Sequence, residues 1–289
     1  MGRTATWLAC AGVAAGIVGV GTLLDRLLGS NGLLLDLSVV FGIAYLFGTF
    51  SANIRLFGRV FRTRSDRPEL ALTFDDGPDP RYTPEISSLL AGRGHRATFF
   101  VLGTHVRAHP RVVAQLAADG HEIASHGDAH GLLAFSSPTA LRRQLEAVER
   151  AVEDALGEPP APLFRAPHGV RSPWLVGVAR RFGYDVCGWD GRVFDTAAPC
   201  VEKIVARVQR LLRPGAVVLL HDGDGSGRAA SREKTLAALR PILDELDRRG
   251  LRSVPLSELA RDGSALARPL TLHPRTPGQS SGGHDLGKS

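Results

Sequence analysis

Between residues 70 and 255 the chain alternates two apolar patterns. Short runs rich in β-branched and aromatic residues, "LALTF", "ATFFVLG", "HEIAS", "PLFRA", "YDVCGW", "AVVLLH" and "LRSVP", are separated by longer stretches with apolar residues three and four apart. The first pattern predicts strands; the second predicts helices at about 83–92, 110–119, 138–156, 172–182, 199–213 and 232–249. Ser137-Pro138 and Ser172-Pro173 supply two of the helix starts, a capping hydroxyl followed by proline in the first turn. Strands that alternate with helices pair in parallel through crossovers. Seven such alternations, with no glycine-rich phosphate loop after the first strand, predict an α/β fold: a distorted, partial (β/α) barrel of about seven parallel strands.

The N-terminal region is patterned differently. Ala5 to Leu24 is an uncharged apolar stretch, and a helix of about 20 residues at ~1.5 Å each matches a hydrocarbon core ~30 Å thick. A second run, Leu33 to Phe50, is interrupted by Asp36 and reads either as a second span or as an interfacial segment. The expected organisation is a membrane anchor over 1–52, a basic linker over 53–69, an α/β domain over 70–260 and a disordered tail over 261–289. The linker carries Arg55, Arg59, Arg62, Arg64 and Arg67, which can hold the chain near anionic headgroups. The tail is rich in Gly, Ser, Pro and Arg without periodicity.

Composition narrows the partners. The 289 residues carry a net charge of +6 with pI near 9.8, but the excess is dispersed arginine, with no Lys/Arg run interleaved by aromatics. That argues against nucleic acid as a partner. Cys10, Cys187 and Cys200 have neither metal-site spacing nor the even count of a disulfide scaffold.

The unusual polar residues fall at the C-terminal ends of the predicted strands: Asp75 and Asp76, His126 and His130, Arg165, Asp190 and Asp195, and His221. In a βα barrel these ends open onto one face. Histidines four apart can reach one ion from a single tight loop. With a carboxylate on the same face they form a set for one divalent cation, zinc foremost, that leaves a position open for water. Adjacent aspartates at a strand end project differently, so one can bind the cation while its neighbour faces that water. The bland readings are surface histidines and an acidic turn at Asp75-Asp76-Gly77-Pro78. Asp190 reads equally as a strand terminator or a functional group, and His95, His105, His109 and His121 read as surface residues.

From about Leu70 to Leu259 the chain resembles the polysaccharide deacetylases, the NodB-homology or chitooligosaccharide deacetylase family. The likeness is carried by "TFDDGP", "HGDAH", "FRAPHG", "GWDGRVFD" and "VVLLHDG", and by the unreactive stretches "ATFFVLG", "DGHEIASH" and "LSEL". It implies a metal-dependent enzyme that removes N-acetyl groups from amino sugars. It also implies Asp75 as general base, Asp76, His126 and His130 as metal ligands, and His221 as the general acid that protonates the leaving amine. Arg165 would pair with Asp75 and Asp195 would orient His221. The backbone N–H of His168 would stabilise an oxyanion, and Leu219 would line the acetyl pocket. Three positions depart from the family pattern: His168 replaces a tyrosine, Gly127 a hydroxyl residue, and Thr196 a tryptophan that walls the pocket.

The expected activity is therefore hydrolysis of the N-acetyl group of an amino sugar in a cell-envelope glycan or its lipid-linked precursor, by an enzyme anchored in the cell membrane. A polymer substrate favours export of the domain; arginines 55–67 favour its retention inside if both apolar runs span. Two rivals stand beside this reading: hydrolysis of a formyl or O-acetyl group on the same scaffold, and a catalytically silent carbohydrate-binding protein.

Overall fold

The computed structural model describes residues 2–30, 32–50 and 67–261. Most of the basic linker (53–66) and nearly all of the tail (262–289) lie outside the described residues. The chain opens with a helical hairpin, α1 (Gly2–Leu28) and α2 (Leu33–Phe50). Asp25, an acid at the end of an apolar run, caps α2: its two oxygens accept from the N–H groups of Leu34 and Leu35 at 3.1 and 2.7 Å. Gly21 lets the helices meet, since a Cβ there would come within 2.1 Å of the Ser38 hydroxyl.

The hairpin corrects the expected membrane anchor. Among the described residues no helix is long and apolar enough to cross a membrane, so the anchor over 1–52, the cell-membrane placement and the export argument built on it are unsupported. The apolarity of 5–24 is diluted by small residues: nine of its twenty positions are Ala or Gly, which contribute little apolar area, and α1 runs on through Asp25 and Arg26. α2 has 18 residues, about 27 Å at ~1.5 Å per residue, and carries Asp36 in its first turn.

The described residues from 67 onward form seven parallel strands: β1 (Glu69–Asp75), β2 (Ala97–Val101), β3 (Glu122–Ser125), β4 (Ala161–Phe164), β5 (Asp185–Val186), β6 (Val217–His221) and β7 (Arg252–Ser253). The sheet order is β5-β4-β3-β2-β1-β6, with β7 paired to the start of β1. No ladder joins β5 to β6 among the described residues, so the barrel is partial. The chain after β5 bends across that opening, where Asp190 N–H donates to Val217 C=O at 2.7 Å. Ser253 fills the splay between β1 and β2, its hydroxyl accepting from Leu72 N–H and donating to Arg96 C=O at 3.0 and 2.7 Å.

Strand alternation sorts side chains between two layers. Leu70, Leu72 and Phe74 of β1, Phe99 and Val101 of β2, and Val218 and Leu220 of β6 face outward into the main core. That core is completed by α3 (Thr83–Ala91), α5 (Pro110–Ala118), α6 (Pro138–Leu156), α8 (Val201–Gln209) and α9 (Glu233–Arg248). A second cluster lies under α6 and α7 (Pro173–Arg181). Ala71, Phe100, Ala124, Leu163 and Val217 form a third cluster with Val254, just after the last strand, and Leu256 and Leu259 of the last helix. Six of the observed helices match the predicted ones within a few residues, and Ser137 and Ser172 cap α6 and α7 through the N–H groups of Ala140 and Leu175. Two helices went unread, α4 (Gly103–Ala108) and α10 (Leu256–Arg261), each six residues and too short to show a period.

Two histidines read as surface residues are buried linkers. His95 accepts from Ser253 N–H at 3.2 Å and faces the Asp247 carboxylate at 3.1 Å, while His121 joins Ala97 N–H to Ser87 C=O. Burial lowers the pKa of both.

Candidate active site

Alternation in the strands decides which polar groups meet. Ala71, Thr73 and Asp75 share one face of β1, and register pairs Thr73 with Leu219 and Asp75 with His221 on β6. Arg165 directly follows β4 in the parity of Leu163, and His126 directly follows β3 in the parity of Ala124, so Asp75, His126, Arg165 and His221 converge at one end.

Arg165 is fully buried. Its guanidinium lies 4.0 Å from the Phe100 ring and 5.6 Å from that of Trp189. It donates to Asp75 Oδ1 at 2.7 Å, Thr73 Oγ1 at 2.8 Å and Gly188 C=O at 3.3 Å. Asp75 Oδ1 is thereby committed to the arginine, while Oδ2 stands 4.0 Å from His126 Nε2.

Asp76 leaves the strand with φ of 72°, in the left-handed region where a short polar side chain is best tolerated. The turn brings its Oδ1 to 3.3 Å from His126 Nε2 and 3.2 Å from His130 Nε2. Asp76 Oδ1 is buried without a hydrogen bond, and the three side chains each offer a ligand atom within 4.8 Å of the others. Burial opposes ionisation of Asp76, but His126, His221 and His130 outweigh it, leaving its carboxyl well below the usual range. Burial depresses His130 to about 3 despite the nearby Asp76. An ionised carboxylate beside a neutral imidazole is the protonation state a divalent cation requires, so these residues fit one.

His221 faces Asp195. Its Nδ1 lies 2.8 Å from Asp195 Oδ1, its backbone N–H donates to Asp195 Oδ2 at 2.8 Å, and Thr235 donates to the same Oδ2 at 2.9 Å. Burial disfavours the imidazolium, yet Asp195, with Asp76 and Asp75 behind it, raises the His221 pKa to about 9. Asp195 is correspondingly lowered: burial works against its ionisation and His221 prevails.

His168 sits with φ of 60° in the turn after β4, its ring edge-on to His130 at 4.2 Å. Leu219 is only partly buried, on the same strand face as His221. Trp189 packs over Gly169, where a Cβ would come within 2.4 Å of the indole. Asp190 is remote from this cluster: it bonds Val217 N–H at the foot of β6 and Arg213 at 3.1 Å, a structural role.

Other groups in the cluster escaped sequence reasoning. His105, read as a surface residue, donates from Nδ1 to Asp76 C=O at 2.9 Å. Asp222 is fully buried against Gly77, accepts from the Thr83 hydroxyl at 2.6 Å, and is raised to about 7 by burial. A Cβ at Gly77 would lie 2.1 Å from that carboxylate, and one at Gly225 would lie 2.4 Å from the His130 ring. For Asp222 the adjacent His221 was a signal; for Thr235 and His105 no local signal exists.

A parallel half-barrel whose strand ends gather paired aspartates, two imidazoles and a carboxylate-backed histidine defines a hydrolytic enzyme. The polysaccharide deacetylase family model matches residues 62–187. A chitooligosaccharide deacetylase of Bradyrhizobium sp. (strain ANU 289) is 36% identical over 211 residues, covering 71% of this chain and 94% of the relative. A peptidoglycan-N-acetylglucosamine deacetylase of Bacillus cereus is 39% identical over 196 residues, covering 66% and 88%. Among solved structures, the crystal structure of a peptidoglycan N-acetylglucosamine deacetylase superposes with a TM-score of 0.64 at 28% identity, covering 69% of this chain and 91% of that one. The chain belongs to the polysaccharide deacetylase family.

Proposed function

We propose that this protein hydrolyses the N-acetyl group of an amino sugar in a cell-envelope glycan, or in a lipid-linked precursor of one, with a single zinc ion held by Asp76, His126 and His130. The observation that carries the reading is the buried, unbonded Asp76 Oδ1 between two imidazole nitrogens, with Asp75 on one side and His221 on the other. Relatives named for chitooligosaccharide and for peptidoglycan N-acetylglucosamine support the substrate class.

A divalent ion bound there supplies Lewis acidity, which acidifies a water and polarises the amide carbonyl. The chain's own groups do the rest. Asp75 takes a proton from the attacking water through Oδ2, since Arg165 occupies Oδ1 and fixes the carboxylate plane. The backbone N–H of His168 would donate to the developing oxyanion. His221 gives its proton to the leaving nitrogen, and Asp195 keeps that imidazole charged and oriented. Leu219, on the same strand face as His221, would line the acyl pocket.

The deciding assay compares acetate with formate release from N-acetylated chitooligosaccharides, peptidoglycan and lipid-linked amino sugars. Acetate release is expected. Formate or O-acetyl hydrolysis without it would move the activity to another acyl bond, and no release with intact glycan binding would favour a silent carbohydrate-binding protein.

The acid also sets a pH limb. A proton donor with pKa raised to about 9 is charged below that pH and lost above it, so turnover should fall as pH rises through about 9. Asp195→Asn removes the main charge holding the proton, and the alkaline limb should move to lower pH. Superimposable alkaline limbs in pH–rate profiles of the two proteins would remove Asp195 from this role.

A further inference from the structure

The two histidines of the cation site are held by different means. His126 directly follows β3, and its N–H donates to Val101 C=O at 2.9 Å, so the sheet fixes it. His130 lies four residues on, beyond any strand or helix. The intervening loop is tied down step by step. Gly127 N–H reaches Ser125 Oγ at 3.3 Å, and Gly127 and Asp128 carbonyls accept from Gly103 and Thr104 N–H at 3.1 and 3.0 Å. The Asp128 carboxylate meets Arg107 at 2.7 Å. Past that point one side chain takes over: Gln144 Oε1 accepts from both Asp128 N–H and Ala129 N–H, each at 3.0 Å. A carbonyl oxygen has two lone pairs, and both are used here. Gln144 itself rides on α6, whose Leu141, Leu145 and Val148 are buried, so the acceptor sits on a rigid support.

We propose that Gln144 is a positioning residue for the cation site, acting through the 128–129 backbone to place His130 while leaving His126 untouched. The inference rests on the reading of Asp76, His126 and His130 as ligands. Groups that orient metal ligands from outside the coordination sphere typically change metal affinity about 10- to 100-fold when replaced. Gln144→Met removes the acceptor at similar length, and both N–H groups lose their partner just before His130.

The test titrates zinc into chelator-stripped full-length protein against a chromophoric competitor. Gln144→Met should bind zinc about 10- to 100-fold more weakly, with the unfolding midpoint of the metal-free protein little changed, and Gln144→Glu, which keeps an acceptor oxygen, should recover most of the affinity. In a His130→Ala background Gln144→Met should cost nothing further, because the two changes act on one ligand. Wild-type affinity in Gln144→Met, or an undiminished loss in the His130→Ala background, overturns the proposal. Wild-type protein that takes up no zinc would instead overturn the ligand assignment, and this inference with it.

Discussion

Asp76→Ala is expected to leave the protein without stoichiometric binding of a divalent cation. Asp76 is the one carboxylate among the three proposed ligands, and without it the two imidazoles would have to hold a dication with no carboxylate ligand in a buried site. The residue also sits at φ of 72°, where alanine is strained, so Asp76→Asn is the companion variant: asparagine tolerates the left-handed turn and removes only the charge. Both variants should fold and both should fail in a zinc titration that saturates the wild type at one ion per chain. Full occupancy in either would mean that another carboxylate, with Asp75 nearest, is the ligand.

Asp75→Asn and His221→Ala should each keep the cation and lose about 10²- to 10⁴-fold in turnover, the usual cost of removing a general base or acid. They should differ in stability. Asn at 75 leaves the fully buried Arg165 guanidinium without its counter-charge, and breaking a buried pair from one side commonly costs about 3–5 kcal/mol. His221→Ala leaves the buried Asp195 without its imidazole partner, but the backbone N–H of residue 221 and the Thr235 hydroxyl still donate to that carboxylate, so the loss should be milder. Turnover measured at saturating zinc, with thermal unfolding alongside, separates the two effects. Near-normal turnover in either variant would defeat the acid–base assignment and leave a hydrolase that relies on the cation alone.

The strands and the larger helices were legible because their signals are local. A period of two or of 3.6, a serine before a proline and an aspartate pair after an apolar run all lie within a few residues of one another. The same local periods placed Asp75, His126, Arg165 and His221 at strand ends, and the rule that parallel βα strands open on one face brought them together. The N-terminal stretch shows the limit of such reading: its length invited a membrane span, and no described helix combines that length with enough apolar character.

What the sequence by itself determined was therefore the alternation of strands and helices and the set of candidate reactive side chains, because each depends on near neighbours. The tertiary structure alone decided which oxygen of Asp75 stays available, through Arg165 ninety residues away. It also decided that Thr235 braces Asp195, that His105 and Asp222 brace the Asp76 turn, and that His95 and His121 are buried links between segments. Each of these bonds joins elements whose meeting depends on strand register and helix packing. No period or motif along the chain encodes that meeting, which follows from how the whole set of apolar faces is buried at once.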